Sequence, residues 1–122
     1  MADAVRLALT VAVAALGLVV HNLMSLPLSP LAPETLGPVL IYAGLLIWSA
    51  VSRLAAPSRW SLLAWTLVNL VVGGILSALP LWFLPFFPEQ SLRHYLAHVI
   101  YSLAQLPLLW LLLASMRRRA AA

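Results

Sequence analysis

Residues 93–116 read RHYLAHVIYSLAQLPLLWLLLASM, an apolar stretch with polar side chains along one side. His94, His98, Tyr101 and Gln105 follow one another at intervals of four, three and four residues. At about 100° per residue, this spacing places all four within about 60° of each other on an α-helix. The stretch is long enough to cross a bilayer, and polar side chains are costly against lipid. We therefore predict that this face turns toward other helices or a water-filled cavity.

The composition of the whole chain is typical of a membrane protein. Of the 122 residues, 64% are hydrophobic and only 8% are charged. A soluble domain usually carries about 25% charged residues, so this chain has too few to cover a water-exposed surface. The net charge of +4 includes the arginine run at 117–119, which suits a cytoplasmic membrane flank and does not indicate nucleic-acid binding. The absence of cysteine excludes disulfides and cysteine-ligated metals.

Four apolar segments divide the chain, at about residues 5–24, 36–54, 60–79 and 91–116. The first exceeds the 7–15-residue core of a signal peptide and is followed by no A-x-A site, so we interpret it as a retained span. The connectors are short and leave no room for a soluble domain. We predict an all-α integral membrane protein, a single membrane domain over residues 1–122 that forms a four-helix transmembrane bundle.

Arginines near the ends of the spans predict the orientation of the bundle. One side of the membrane, shared by both termini and the middle connector, has six arginines: Arg6, Arg53, Arg59, Arg117, Arg118 and Arg119. The other side has only Arg93. Both termini are therefore expected in the cytoplasm, in a plasma membrane or bacterial inner membrane.

An internal repeat links the two halves of the chain. LVVHNLMSLPL at residues 18–28 matches LVVGGILSALPL at 70–81, with seven identities over eleven aligned positions and Ala78 as the insertion. Each half then reaches a Pro-Glu pair. We predict repeat units at residues 1–57 and 58–122, two tandem helical hairpins of the same orientation, related by an axis along the membrane normal.

Prolines predict where the helices start and bend. Pro33 and Pro88, each followed by glutamate, suit the first turn of a helix. A start at Pro38 with Thr35 as the cap is an equal alternative for the second helix. Pro107 predicts a kink inside the fourth span.

Small and polar residues line one face of the first span and one face of the third. These faces are Thr10, Ala14, Gly17, His21 and Ser25 on the first, and Thr66, Asn69, Gly73 and Ser77 on the third. Close packing of membrane helices through small residues explains most of this pattern without a ligand.

All three histidines fall toward the outer ends of their spans, so the topology places them in one membrane leaflet. They could converge if the first and fourth helices are neighbours, or they could simply hydrogen-bond to nearby helices. The candidate pocket or ligand residues are His21, Asn22, Asn69, His94, His98, Tyr101 and Gln105.

Three kinds of site are compatible with these residues. His94 and His98 share a helix face, and His21 could be a third ligand of a divalent metal or an axial ligand of haem. Alternatively, the polar side chains hold a quinone or lipid headgroup between Trp82 and Phe86. A third possibility is a permeation path along the polar face.

The leading hypothesis for function is a non-enzymatic accessory or binding subunit with a histidine pocket near the outer face. It would work in the lipid bilayer, within a larger membrane complex or as a homo-oligomer. The alternative is a small transporter or channel with an outward-opening cavity, and the third is a lipid- or quinone-linked enzyme. No span contains the buried carboxylate of a proton-coupled exporter, and no phosphate loop or Ser-His-Asp arrangement is evident.

Overall fold

A computed structural model describes residues 2–26, 28–51 and 55–121, and within these ranges the protein contains helices and no strand. The helices are α1 (Ala2–Ser25), α2 (Pro33–Ala50), α3 (Ala55–Leu67) and α4 (Leu92–Ala120). A π-helical segment, Val68–Ile75, and a 3-10 turn, Leu76–Ala78, extend α3. The predicted four-helix, all-α architecture is confirmed.

Three of the four helices are long and apolar enough to cross a membrane. They are Asp3–Ser25, Ala56–Ala78 and Leu92–Ala120. The other, α2, has 18 residues and opens with Pro33 and Glu34, which lower its apolar character. The outer surfaces of all four helices carry large apolar side chains, including Leu9, Ile47 and Trp110. Such extensive apolar exposure is unusual for a soluble monomer.

The start of α2 resolves the choice between two prolines. Pro33 occupies the first turn, after Ala32 in extended conformation, and Pro38 lies inside the helix. The alternative start at Pro38 is therefore wrong, and Thr35 is a buried first-turn residue instead of a cap. The predicted end of this span at 52–54, with Arg53, and Pro27 of the repeat lie outside the described residues.

The start of α4 differs from the helix start that Pro88 predicts. Ser91 is its N-cap, with the Oγ atom accepting a hydrogen bond from the His94 backbone N–H at 3.2 Å. Serine is among the best N-cap residues, because its hydroxyl satisfies an amide that has no partner in the first turn. Pro88 and Glu89 therefore belong to the connector, and their predicted place in the first helical turn is wrong. Downstream, α4 continues through Pro107 to Ala120.

The helices pack as a ring in the order α1, α2, α3, α4, and the α4–α1 interface is the most extensive. Its closest approach is at Gly17, where an added Cβ would lie 2.3 Å from the Cβ of Ala104. Such close approach through small residues is common between membrane helices. The apolar core lies toward the end that holds both termini, and its buried members are Val11, Ala14, Tyr42, Leu62, Leu63, Leu108 and Leu112.

The polar face of α4 turns into the bundle, as its spacing predicts. His94, His98, Tyr101 and Gln105 are all buried. Because α1 is the main neighbour of α4, this face meets the small and polar face of α1.

Candidate binding site: a histidine cavity

Three imidazoles meet where α1 ends and α4 begins. His21 Nε2 lies 3.1 Å from His98 Nε2, and the two ring centroids are 4.3 Å apart. The His94 ring lies 4.4 Å from that of His98, one helical turn away on the same face. The convergence that the sequence left open therefore occurs, because α1 and α4 are direct neighbours.

Each imidazole of the His21–His98 pair is anchored through its other nitrogen. His98 Nδ1 lies 3.0 Å from the carbonyl oxygen of Gly74, at the end of the π-helical segment. His21 Nδ1 lies 2.9 Å from Oδ1 of Asn22. These contacts fix the orientation of both rings and direct their Nε2 atoms toward each other.

The orientation of the Asn22 amide follows from a proline on the neighbouring helix. Pro38 has no N–H, so the carbonyl of Glu34, four residues earlier, lacks its usual helical partner. Asn22 Nδ2 donates to this carbonyl at 3.2 Å and to the Thr35 hydroxyl at 2.9 Å. The amide oxygen is thereby turned toward His21.

A cavity of about 490 Å³ opens beside the three imidazoles. This volume falls in the range of small-molecule sites. Two of its lining polar atoms, His94 Nε2 and Ser25 Oγ, are buried and have no hydrogen-bond partner among the described residues. The cavity is lined by His21, Ser25, Leu26, Ser77, Phe86, Phe87, Pro88, Glu89, His94 and His98.

The remaining predicted pocket residues do not line this cavity. Tyr101 donates to Asn69 Oδ1 at 2.5 Å, and its ring lies 5.1 Å from that of His21. Gln105 is fully buried, accepts from the Tyr42 hydroxyl at 2.5 Å and donates to the Ala14 carbonyl at 3.0 Å. These side chains join helices to each other, as does Asn22.

For several cavity residues the sequence predicts other roles. It assigns Ser25 and Ser77, which occupy matching positions in the repeat, to helix packing, whereas both line the cavity. Phe86 forms part of the wall as expected, whereas Trp82 is 94% exposed and does not line the cavity. Glu89 lines the cavity from the connector that precedes α4.

The histidine geometry bears on the two predicted cofactors in different ways. Two axial ligands of haem lie on opposite sides of the iron, ~4 Å apart for metal–nitrogen bonds near 2.0 Å. The 3.1 Å separation of the two Nε2 atoms therefore does not fit an axial His21–His98 pair. Within residues 2–26, 28–51 and 55–121, no three His, Asp or Glu side chains are grouped to hold a metal ion.

No family model, curated protein or solved structure matches the chain. What the site can do therefore follows from its own groups. Imidazole nitrogens and serine hydroxyls can form hydrogen bonds with a bound molecule, and imidazoles and carboxylates also coordinate metal ions.

Proposed function

We propose that this protein is a four-span integral membrane protein that acts as a non-enzymatic binding subunit. Its ligand would be a small molecule or ion, held in the histidine cavity at the outer face. One observation carries the proposal: the buried polar atoms His94 Nε2 and Ser25 Oγ have no partner in the described structure and line a cavity of ligand size. Buried polar groups are normally hydrogen-bonded, so two such atoms without a hydrogen-bond partner at a cavity wall favour a bound ligand.

The apolar outer surface supports membrane insertion of the whole bundle. Trp110 on α4 is 73% exposed, and Ile47 on α2 is 69% exposed. In water this surface would promote aggregation, whereas in lipid it is the surface that a membrane protein needs. The similarly apolar exterior of α2 supports its inclusion as the fourth span.

The distribution of charge supports cytoplasmic termini. Asp3, Arg59, Arg118 and Arg119 line one cavity of about 250 Å³, so the N-terminus, the start of α3 and the C-terminus share one end of the bundle. The histidine cavity lies at the opposite end, where Arg93 precedes the lining residue His94 in α4. By the positive-inside rule, the arginine-rich end faces the cytoplasm.

The ring order of the helices supports the tandem repeat. A twofold axis through the centre exchanges α1 with α3 and α2 with α4, and a ring in the order α1, α2, α3, α4 allows this operation. The second copy contains one extra residue, Ala78. This residue lies in the 3-10 turn Leu76–Ala78, after the π-helical segment Val68–Ile75.

The hydrogen bonds below the cavity favour binding over permeation. Tyr101 and Asn69 are bonded to each other, and Gln105 bridges α4 to α2 and α1. A transporter would need these buried contacts to open during each cycle. The cavity groups, in contrast, are available to a ligand without rearrangement of the bundle.

Native mass spectrometry of the protein extracted in mild detergent tests the proposal. We expect the wild type to carry an adduct that His94→Leu protein lacks.

Labelling of single introduced cysteines tests the orientation in the membrane, because the chain has no cysteine of its own. A membrane-impermeant maleimide added to intact cells should label Ser77→Cys, and should label Ala121→Cys only after permeabilisation.

Two outcomes would contradict the proposal. A wild-type protein that carries no adduct would remove the binding role. Labelling of Ser77→Cys only from the cytoplasmic side would reverse the predicted orientation.

A further inference from the structure

The hydrogens of the His21–His98 pair can be counted from its anchors. A carbonyl oxygen only accepts hydrogen bonds, so His98 Nδ1 must carry the hydrogen that it donates to Gly74. The Asn22 amide is turned by its contact with the Glu34 carbonyl, so its oxygen faces His21, and His21 Nδ1 must also carry a hydrogen. Both anchors therefore demand a hydrogen on Nδ1.

This assignment leaves the two Nε2 atoms in conflict. A neutral imidazole carries one hydrogen, so both Nε2 atoms present lone pairs. They face each other at 3.1 Å, where two lone pairs repel. A divalent metal ion bound to both Nε2 atoms would remove this repulsion.

The anchoring is the pattern found around metal-bound histidines. Such histidines almost always donate their second ring N–H to a carbonyl or carboxylate, which fixes the tautomer and directs the free nitrogen at the metal. Two nitrogens bound to a tetrahedral ion at 2.0–2.1 Å lie about 3.3 Å apart. The observed separation is within a few tenths of an ångström of this value.

We propose that His21 and His98 bind one divalent transition-metal ion through their Nε2 atoms. The inference rests on the proposed function, because the ion is then the ligand, or part of the ligand, of the same cavity. Among the described residues no third His, Asp or Glu side chain is grouped with the pair, so water or a cavity ligand would complete the coordination.

The donor atoms determine which ions fit. Neutral imidazole nitrogens favour zinc, copper and nickel, whereas magnesium and calcium prefer oxygen ligands. Glu89 is the one carboxylate in the cavity lining, and the two proposed ligands are neutral imidazoles. The site is therefore expected to select ions by their preference for nitrogen ligands.

Zinc binding to the purified wild-type protein tests this inference. Titration calorimetry should show one Zn²⁺ per chain and no binding of Mg²⁺ at the same concentration. His98→Ala should weaken zinc binding by at least about tenfold, and Asn22→Ala by about 10- to 100-fold through loss of the His21 anchor.

Gln105→Leu is the control, since it removes a buried polar side chain from the same helix but lies outside the cavity and leaves the pair intact. It should retain zinc binding within about tenfold of the wild type. A measurement on the wild type alone tests the metal site even if the variants fail to fold. In ¹⁵N-histidine NMR, zinc should shift two Nε2 resonances while the corresponding Nδ1 atoms stay protonated.

Several results would overturn the metal site. They are the absence of zinc binding, magnesium binding as tight as zinc binding, or loss of zinc binding in Gln105→Leu as complete as in His98→Ala. If zinc does not bind while the native adduct and the outward cysteine labelling are observed, only the metal inference fails. If zinc binds but Ser77→Cys is labelled from the cytoplasm, the metal site stands and the proposed orientation fails.

Discussion

Gln105 is the residue whose replacement should most directly test the packing of the bundle. It lies fully buried on α4, accepts a hydrogen bond from Tyr42 on α2 and donates one to the Ala14 carbonyl on α1. One side chain thus joins three helices, and its bond to Tyr42 crosses the ring between α2 and α4, which are not adjacent. Gln105→Leu keeps a similar volume but removes both bonds.

The expected loss can be worked out from these contacts. Hydrogen bonds between membrane helices contribute about 0.6 kcal/mol each on average and up to ~1.7 kcal/mol. A buried hydroxyl left without a partner costs about 1–3 kcal/mol, although the Thr66 hydroxyl remains beside that of Tyr42 and offsets part of this cost. Together these terms give a destabilisation of about 2 kcal/mol for Gln105→Leu. Tyr42→Phe removes one bond and should cost about 1 kcal/mol.

Unfolding by SDS titration in mixed micelles, followed by circular dichroism, measures these free energies. Because Tyr42 and Gln105 share a bond, the double variant should be less destabilised than the sum of the single variants by about 1 kcal/mol. Two results would refute the reasoning. One is a Gln105→Leu protein as stable as the wild type, and the other is single-variant effects that add within about 0.3 kcal/mol.

Two further substitutions test local features of the fold by the same measurement. Gly17→Ala places a Cβ 2.3 Å from that of Ala104 and should destabilise the protein by about 1–3 kcal/mol through overpacking; Gly44→Ala, with nothing within 4 Å, should not. Rescue of Gly17→Ala by Ala104→Gly would tie the effect to that contact, and failure of the rescue would contradict it. Ser91→Ala removes the cap of α4 and should lower the free energy of unfolding by about 1 kcal/mol. Ala32→Ser, at the N-cap position of α2 that has no side-chain cap, should not lower it and should raise it by at most about 1 kcal/mol.

The sequence predicts the parts of this fold that depend on local periodicity. The spacing of His94, His98, Tyr101 and Gln105 identifies the buried face of α4, because a helix repeats every 3.6 residues whatever surrounds it. For α2, local rules leave two starts open, at Pro33 and at Pro38, and the structure has the first. At α4, two local signals compete, and Ser91 determines the start because its side chain caps the helix directly.

The site depends on contacts between helices, which a single sequence does not encode in any local pattern. His21 and His98 are 77 residues apart, and only the adjacency of α1 and α4 brings them to 3.1 Å. The link from Pro38 through the Glu34 carbonyl to Asn22 is also non-local, since it needs α2 to pack beside the end of α1. Nothing in the composition of residues 68–75 marks the π-helical geometry that positions the carbonyl of Gly74.

The polar face of α4 has two parts that differ in what their side chains contact. Tyr101 and Gln105 have their hydrogen bonds satisfied by other helices, so their effect is on the stability of the bundle. His94 and His98 line the cavity, and the His94 Nε2 atom is left without a partner in the described structure. The two parts share one helix but not one hydrogen-bond network. A substitution in one part should therefore mainly change the stability of the bundle, and a substitution in the other should mainly change ligand binding. Gln105→Leu should lower the unfolding free energy while leaving zinc affinity nearly unchanged, and His98→Ala should have its larger effect on zinc. If both variants lowered zinc affinity to the same extent, the site would depend on the packing of the whole bundle and not on the paired imidazoles.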